Sequence, residues 1–215
     1  LQTGQYGKNV GIINVEIADA EVTGITPFLY TKAEAAEIEP NAAVAAYIEE
    51  VNAEVEEFTM QEIATLPYAL DGERAHVRTR PTNLSKVLMT AMMEATGADA
   101  ALTNGGGIRA SIDAGNVTIG EVITVLPFNN TIVVIEVTGA ELMAAIENGI
   151  KDLPNPSGAY AQLGGIEAIW NRFNEPGERL FKVKVGGKLI DPEATYRLAT
   201  NDFTAAGGDQ YTMFA

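Results

Sequence analysis

Between residues 41 and about 64, apolar side chains recur at three- and four-residue steps: Val44, Tyr47, Ile48, Val51, Val55 and Phe58. Glu49, Glu50, Glu54, Glu56 and Glu57 fill the opposite face. That period predicts one long amphipathic helix, with Pro40 near its start and Pro67 beyond its end. A helix packed on its own domain and a linker helix between domains share this composition, so both readings stay open. A second helix is expected to open at Asn83 as N-cap, bury Leu84, Val87, Leu88, Ala91, Met92 and Ala95, and stop at Gly97. Its methionines read as core fillers. Thr118 with Glu121, and Thr138 with Glu141, have the spacing of capping boxes, the first opening a short helix before Pro127 and the second a helix that stops at Gly149.

Other segments carry the pattern of strands. Val10, Ile12, Ile13, Val15 and Ile17 predict a strand whose hairpin continues to about Tyr30. Residues 31–40 read as an acidic, alanine-rich connector. A short strand ends at Ala100-Ala101-Leu102, and the β-branched run 131–137 predicts a central strand. Residues 151–165, rich in Gly, Pro, Asn and Ser, read as a loop. The remainder is strand-rich: 166–173, 179–185, a turn at Gly186-Gly187, then 188–190 and 195–199. Helices and strands mix without strict βαβ alternation. The expected class is α+β, a mixed β-sheet layered with helices.

The 215 residues suffice for one large domain, or a domain with an appendage. A formal net charge of -15 repels phosphate backbones and anionic membranes, so neither a nucleic acid nor a membrane surface is an expected partner. No apolar run reaches the length of a membrane span. The absence of cysteine excludes disulfides, thiolate metal sites and cysteine nucleophiles. His76 is the only histidine, too few for a two-metal hydrolase centre, and no G-x-S-x-G elbow is present. His76 reads as a partly exposed residue of a polar segment. Leu1 is not an initiator methionine and no signal peptide is visible, so a fragment or processed product is expected.

Candidate chemistry gathers in three loops. Thr103-Asn104-Gly105-Gly106-Gly107-Ile108-Arg109 follows a strand. Glycine takes positive φ freely and lets other groups approach the backbone. An amide and a guanidinium flank the turn, suited to a ligand with a polar ring edge and an anionic or hydroxyl-rich part. Leu126-Pro127-Phe128 puts an aromatic just before a strand, and Asn201-Asp202-Phe203 precedes Gly207-Gly208-Asp209. Two rings on separate loops can sandwich a flat heterocycle, and a carboxylate can accept from a ribose diol. The plain alternative for each phenylalanine is a core position at a strand end.

N-G-G-G-I-R, then L-P-F, then N-D-F-x-x-x-G-G-D, in that order, resembles the C-terminal domain of the 5'-nucleotidase family, which includes UDP-sugar hydrolases and cyclic-nucleotide phosphodiesterases. The stretch from Arg78 to Leu84 is similar to its R-x-x-x-x-N-L segment. The resemblance covers residues 65–215. Residues 1–30, with Gly4-Gln5-Tyr6-Gly7-Lys8-Asn9-Val10-Gly11, resemble closing strands of the family's metal-bearing N-terminal domain, which leaves 31–64 as connector and interdomain helix. The resemblance implies that Phe128 and Phe203 clamp a base and that Asp209 holds the ribose hydroxyls. It likewise implies that Asn104 lies at the base, and that Arg78 and Arg109 lie toward the ribose and phosphate. Gly106 and its neighbours would let the ligand lie close to the backbone.

The family's D-x-H and G-N-H-E motifs are missing. The resemblance therefore implies a substrate-recognition half, with no cofactor in this chain and two divalent metals in an N-terminal metallophosphoesterase domain of the parent chain. It also implies an exported parent: periplasmic, cell-surface or extracellular. The expected ligand is a nucleoside or nucleotide, and the isolated chain is expected to be inactive. A stand-alone nucleotide-binding module and a structural or interaction domain are the rival readings.

Overall fold

The computed structural model describes residues 3–4 and 7–215. Gln5 and Tyr6 of the N-terminal motif lie outside the described residues. The chain divides into two compact units, Leu1–Glu56 and Glu57–Ala215.

In the first unit, β1 (Asn9–Ala18) pairs antiparallel with β2 (Glu21–Thr31) through a two-residue turn. Asp19 and Ala20 there have φ of 52° and 64°. Tight hairpin turns need this left-handed backbone to match the twist of the strands. The expected connector contains α1 (Lys32–Ala35), capped reciprocally by Thr31 and Glu34. Asn41 caps α2, accepting from the N–H groups of Ala43 and Val44. None of the described residues in this unit is buried.

α2 runs Ala42–Thr59, shorter than the periodicity predicts. Residues 62–66 leave the helix as β3 (Glu62–Leu66), which pairs with β5 (Gly115–Thr118) about fifty residues along the chain. A strand stabilised by so distant a partner leaves no mark on the local period.

The second unit is built on a mixed four-stranded sheet. Its strands are β4 (Ala100–Asn104), β6 (Ile132–Thr138), β7 (Ala161–Gly164) and β11 (Thr195–Asn201), in the order β6-β11-β4-β7. β4 and β11 run parallel, while the outer pairs are antiparallel. Every residue of β4 is buried. Ala100 and Leu102 join a core with Leu142, Ile146 and Leu198, whereas Ala101 joins Met89, Met92 and Ala199. Alternate residues of one strand thus enter two cores, one on each face of the sheet. β8 (Ile166–Trp170), β9 (Leu180–Val185) and β10 (Lys188–Leu189) form an antiparallel sheet. Gly186 and Gly187 turn between the last two with φ of 56° and 77°, as expected. The α+β class stands.

Several expectations need correction. The run 131–137 forms an edge strand, because the centre belongs to the buried β4 and to β11. β-branched content marks a strand but not its place in a sheet. β7 lies inside the predicted 151–165 loop; it is short and half glycine and alanine. α4 (Asn83–Thr96) is capped by Thr82 and Ser85, while Asn83 braces the preceding loop through Asp71 N–H and Ala69 C=O. Its buried face includes Met89, whereas Val87, Ala91 and Ala95 are exposed. Gly97 ends it left-handed as predicted. Both capping boxes are present, opening α5 (Ile119–Val125) and α6 (Gly139–Ile150). α6 continues past Gly149, where a Cβ would lie 2.4 Å from that of Ala161, so this glycine serves close helix–strand packing.

Candidate functional site

The glycine run continues β4 as a single 3-10 turn, Gly105–Gly107. None of these three glycines has positive φ. Close approach, not left-handed backbone, explains them: a Cβ on Gly105 would lie 2.0 Å from the Val77 carbonyl oxygen, and one on Gly106 3.1 Å from Gly158 Cα. Gly105 and Gly106 donate their N–H groups to Tyr160 and Gly158 carbonyls at 2.7 and 2.8 Å. The turn is therefore stitched to the 157–160 loop, and a cavity of about 540 Å³ opens over the seam.

Arg78, Asn104, Gly106, Phe128, Phe203 and Asp209 line that cavity together. They come from four segments of the chain: Arg78, the turn with Asn104 and Gly106, Phe128, and the 201–209 loop with Phe203 and Asp209. Arg78 follows α3 (Arg74–Val77), Phe128 follows α5, and Phe203 lies on α7 (Asp202–Ala205). The loops bearing the two rings are joined where Asp202 N–H donates to the Thr131 carbonyl at 3.0 Å. Phe128 and Phe203 are 55% and 44% exposed, so neither is a core residue. The Phe203 ring lies on Gly208, where a Cβ would come within 2.5 Å of its carbons.

Arg109 is absent from the cavity lining. Its guanidinium carbon lies 5.4 Å from the Phe128 ring centroid, a cation–π contact, and Nη1 donates to the Gly106 carbonyl. Gly107, one of the run's glycines, lines the cavity as well, together with Asn130 and Gly158, which the sequence did not single out. Gly158 lies in the unpatterned loop, so only its contacts mark it.

A chain of amides fixes the carboxylate. Asn201 caps α7, its Oδ1 accepting from Thr204 N–H at 2.7 Å. Its Nδ2 donates to Asn104 Oδ1 at 3.2 Å, and Asn104 Nδ2 donates to Asp209 Oδ2 at 2.7 Å. Asp209 itself has φ of 50° and is held from behind, its carbonyl accepting from Asn148 Nδ2 at 3.1 Å. Local side-chain bonds make the left-handed region tolerable for such residues. Beneath, Tyr211 is fully buried and donates to the Ala159 carbonyl at 2.6 Å. Burial first, and then the Asp209 charge, push its phenol far above the usual range, so it remains a neutral donor. Burial likewise pushes Tyr160 up to about 12.

His76 stands outside the cavity, its Nδ1 2.8 Å from Asp71 Oδ2 and its side chain 40% exposed. Burial raises the Asp71 carboxyl, but the Glu73 N–H, His76 and Arg80 together hold it below the ordinary value. Among the described residues no three His, Asp or Glu side chains gather where they could share a metal ion. No described helix is long and apolar enough to cross a membrane.

The sequence pattern of "5'-nucleotidase, C-terminal domain" matches residues 59–215. The trifunctional nucleotide phosphoesterase YfkN of Bacillus subtilis is 42% identical over 185 residues, 82% of this chain and 13% of that protein. Protein UshA of Yersinia enterocolitica is 43% identical over 145 residues, 66% of this chain and 25% of its own. The crystal structure of a 5'-nucleotidase precursor from Thermus thermophilus superposes with a TM-score of 0.75 at 36% identity, covering 100% of this chain and 44% of that one. This chain thus spans less than half the length of each.

Proposed function

The chain belongs to the 5'-nucleotidase family, matching its C-terminal domain, and from that premise we propose that the 540 Å³ cavity holds a nucleoside or nucleotide. The observation that carries this reading is the pair of phenylalanine rings left about half exposed on the walls of one otherwise polar cavity. Exposed rings on a surface of net charge -15 gain most by stacking on a flat apolar face, which a nucleobase supplies.

The remaining groups suit the rest of such a ligand. Asp209 turns its carboxylate into the cavity with Oδ2 held by Asn104, which orients it to accept from a ribose diol. Arg78 supplies the cation and guanidinium fork for an anionic end. Arg109 acts on the base indirectly, by bracing Phe128. Asn104, already engaged on both ends of its amide, keeps one further N–H for the base edge.

In the intact protein this unit is proposed to bind base and sugar so that the phosphate ester is held for attack, the entropic part of catalysis. Two divalent metals in an N-terminal domain would supply a metal-activated water or hydroxide. Among the described residues no ligand set for them gathers. Support for a partner domain comes from the hairpin β1–β2 and helix α2, whose large apolar side chains, such as Ile13, Val15, Tyr47 and Phe58, are exposed. They suit closing strands and a linker to the rest of an exported hydrolase.

Calorimetric titration with AMP and adenosine tests the reading. Phe128→Ala and Phe203→Ala should each weaken binding by about 1–3 kcal/mol. Because both rings are exposed, thermal stability should stay within about 0.5 kcal/mol. Unchanged affinity in both variants sinks the clamp.

A further inference from the structure

Arg78 stands on a segment that does not hold its own shape. α3 is one turn of four residues, far below the length at which a helix persists alone. The backbone that aims Arg78 must therefore be fixed from outside. Two of its carbonyls, Val77 and Arg80, accept from the same donor, Nε2 of Gln162, at 2.8 and 2.9 Å. The carbonyl of Arg78 accepts from Ser157 N–H at 3.2 Å.

Gln162 lies on β7 between Ala161 and Leu163 and is 0% exposed. An apolar residue would fill that space without desolvating an amide. Only the NH2 end can serve two carbonyls, so its partners dictate the amide's orientation. Its Oε1 meets no donor among the described residues. The hydrogen bonds of this buried side chain among the described residues thus go to the two carbonyls on either side of Arg78. β7 is also the strand paired with β4, with Gln162 opposite Thr103 and Ala161 opposite Asn104. The strand pair that carries Asn104 to the cavity and the turn that carries Arg78 are locked together through this one amide.

We infer that Gln162 is a positioning residue: by holding the carbonyls flanking Arg78, it sets where that guanidinium meets the anionic end of a bound nucleotide. The inference rests on the nucleotide reading above. It separates Gln162 from residues that merely fill the core, because its effect should pass through Arg78 and should follow the phosphate rather than the base.

The test uses the 215-residue chain with AMP and adenosine as probes, comparing wild type, Gln162→Met, Arg78→Met and the double variant by calorimetry. Gln162→Met keeps the volume and removes both donors. AMP affinity should fall roughly tenfold, the worth of a charge-assisted contact, while adenosine affinity stays within about threefold. In the Arg78→Met background the same change should alter AMP affinity by less than about threefold. Equal losses for AMP and adenosine, or a full loss persisting without Arg78, would mark a purely structural role and overturn the inference. So would a Gln162→Met chain that binds AMP as wild type does, which leaves the nucleotide reading intact. A wild-type chain that binds neither probe removes that reading and this role with it. If Gln162→Met does not fold, Ser157→Pro removes the donor to the Arg78 carbonyl from a loop, and should cost AMP about threefold with adenosine unchanged.

Discussion

The two units use the same local devices and reach opposite ends. Thr31 with Glu34 closes a capping box in the first, and Thr138 with Glu141 closes another in the second, each with its reciprocal bonds. β1–β2 is the longest strand pair among the described residues, with ten paired positions. Yet Val10, Ile13, Val15 and Ile17 all remain between 46% and 67% exposed, whereas Leu102, Leu142, Ile146 and Leu198 are fully buried. Backbone hydrogen bonds and caps are local and nearly neutral against water, while burial of apolar area is what stabilises a unit. The hairpin has its secondary structure without a core. A two-stranded hairpin is marginal on its own.

Hydrogen exchange should expose the largest difference. Amides of β4 and β11 should exchange only by global unfolding, which takes roughly 5–15 kcal/mol in a domain of this kind. Amides of β1 and β2 should open at close to zero cost, or show protection that rises with protein concentration as their free edges pair. Strong, concentration-independent protection of Val10 to Ile17 in a proven monomer would break the comparison.

Truncating core and hairpin side chains sharpens it. Leu102→Ala should destabilise the chain by about 2–5 kcal/mol in denaturant unfolding, as a buried cavity is left. Val15→Ala, at a position 48% exposed, should change stability by less than about 0.5 kcal/mol. Comparable losses at the two sites would mean that the hairpin is part of the cooperative unit.

The smallest test compares the two capping boxes. Thr138→Ala should cost about 1 kcal/mol of global stability, because α6 packs on the core. Thr31→Ala should leave the global transition unmoved, since α1 buries nothing. Equal shifts in midpoint would show the first unit folding with the second.

The site divides along the same line between what is local and what is long-range. Asn104, Gly106, Phe128, Phe203 and Asp209 stood out because they sit in short motifs whose order resembles a known family. That the three loops share one cavity follows from β4 lying beside β11 and from the stitching of Gly106 to Gly158. Asn148 and Gln162 support the site through bonds to carbonyls 61 and 85 residues away. A lone amide on a strand or a helix gives no sign of such a partner.

Read by itself, the amino-acid sequence determined what is settled within a few residues: both capping boxes, the left-handed stop at Gly97, the Gly186-Gly187 turn and the α+β class. Only the tertiary structure decided what depends on distant partners. Residues 62–66 left the helix for a strand, β6 went to an edge, and Thr82 rather than Asn83 became the cap, because Asn83 was engaged by the 69–71 loop. Arg109 turned to the Phe128 ring. The reason is one of range: caps and turns are stabilised by bonds between neighbours, which the order of residues displays, whereas strand pairing, burial and side-chain aim are stabilised by contacts that exist only once the chain has folded.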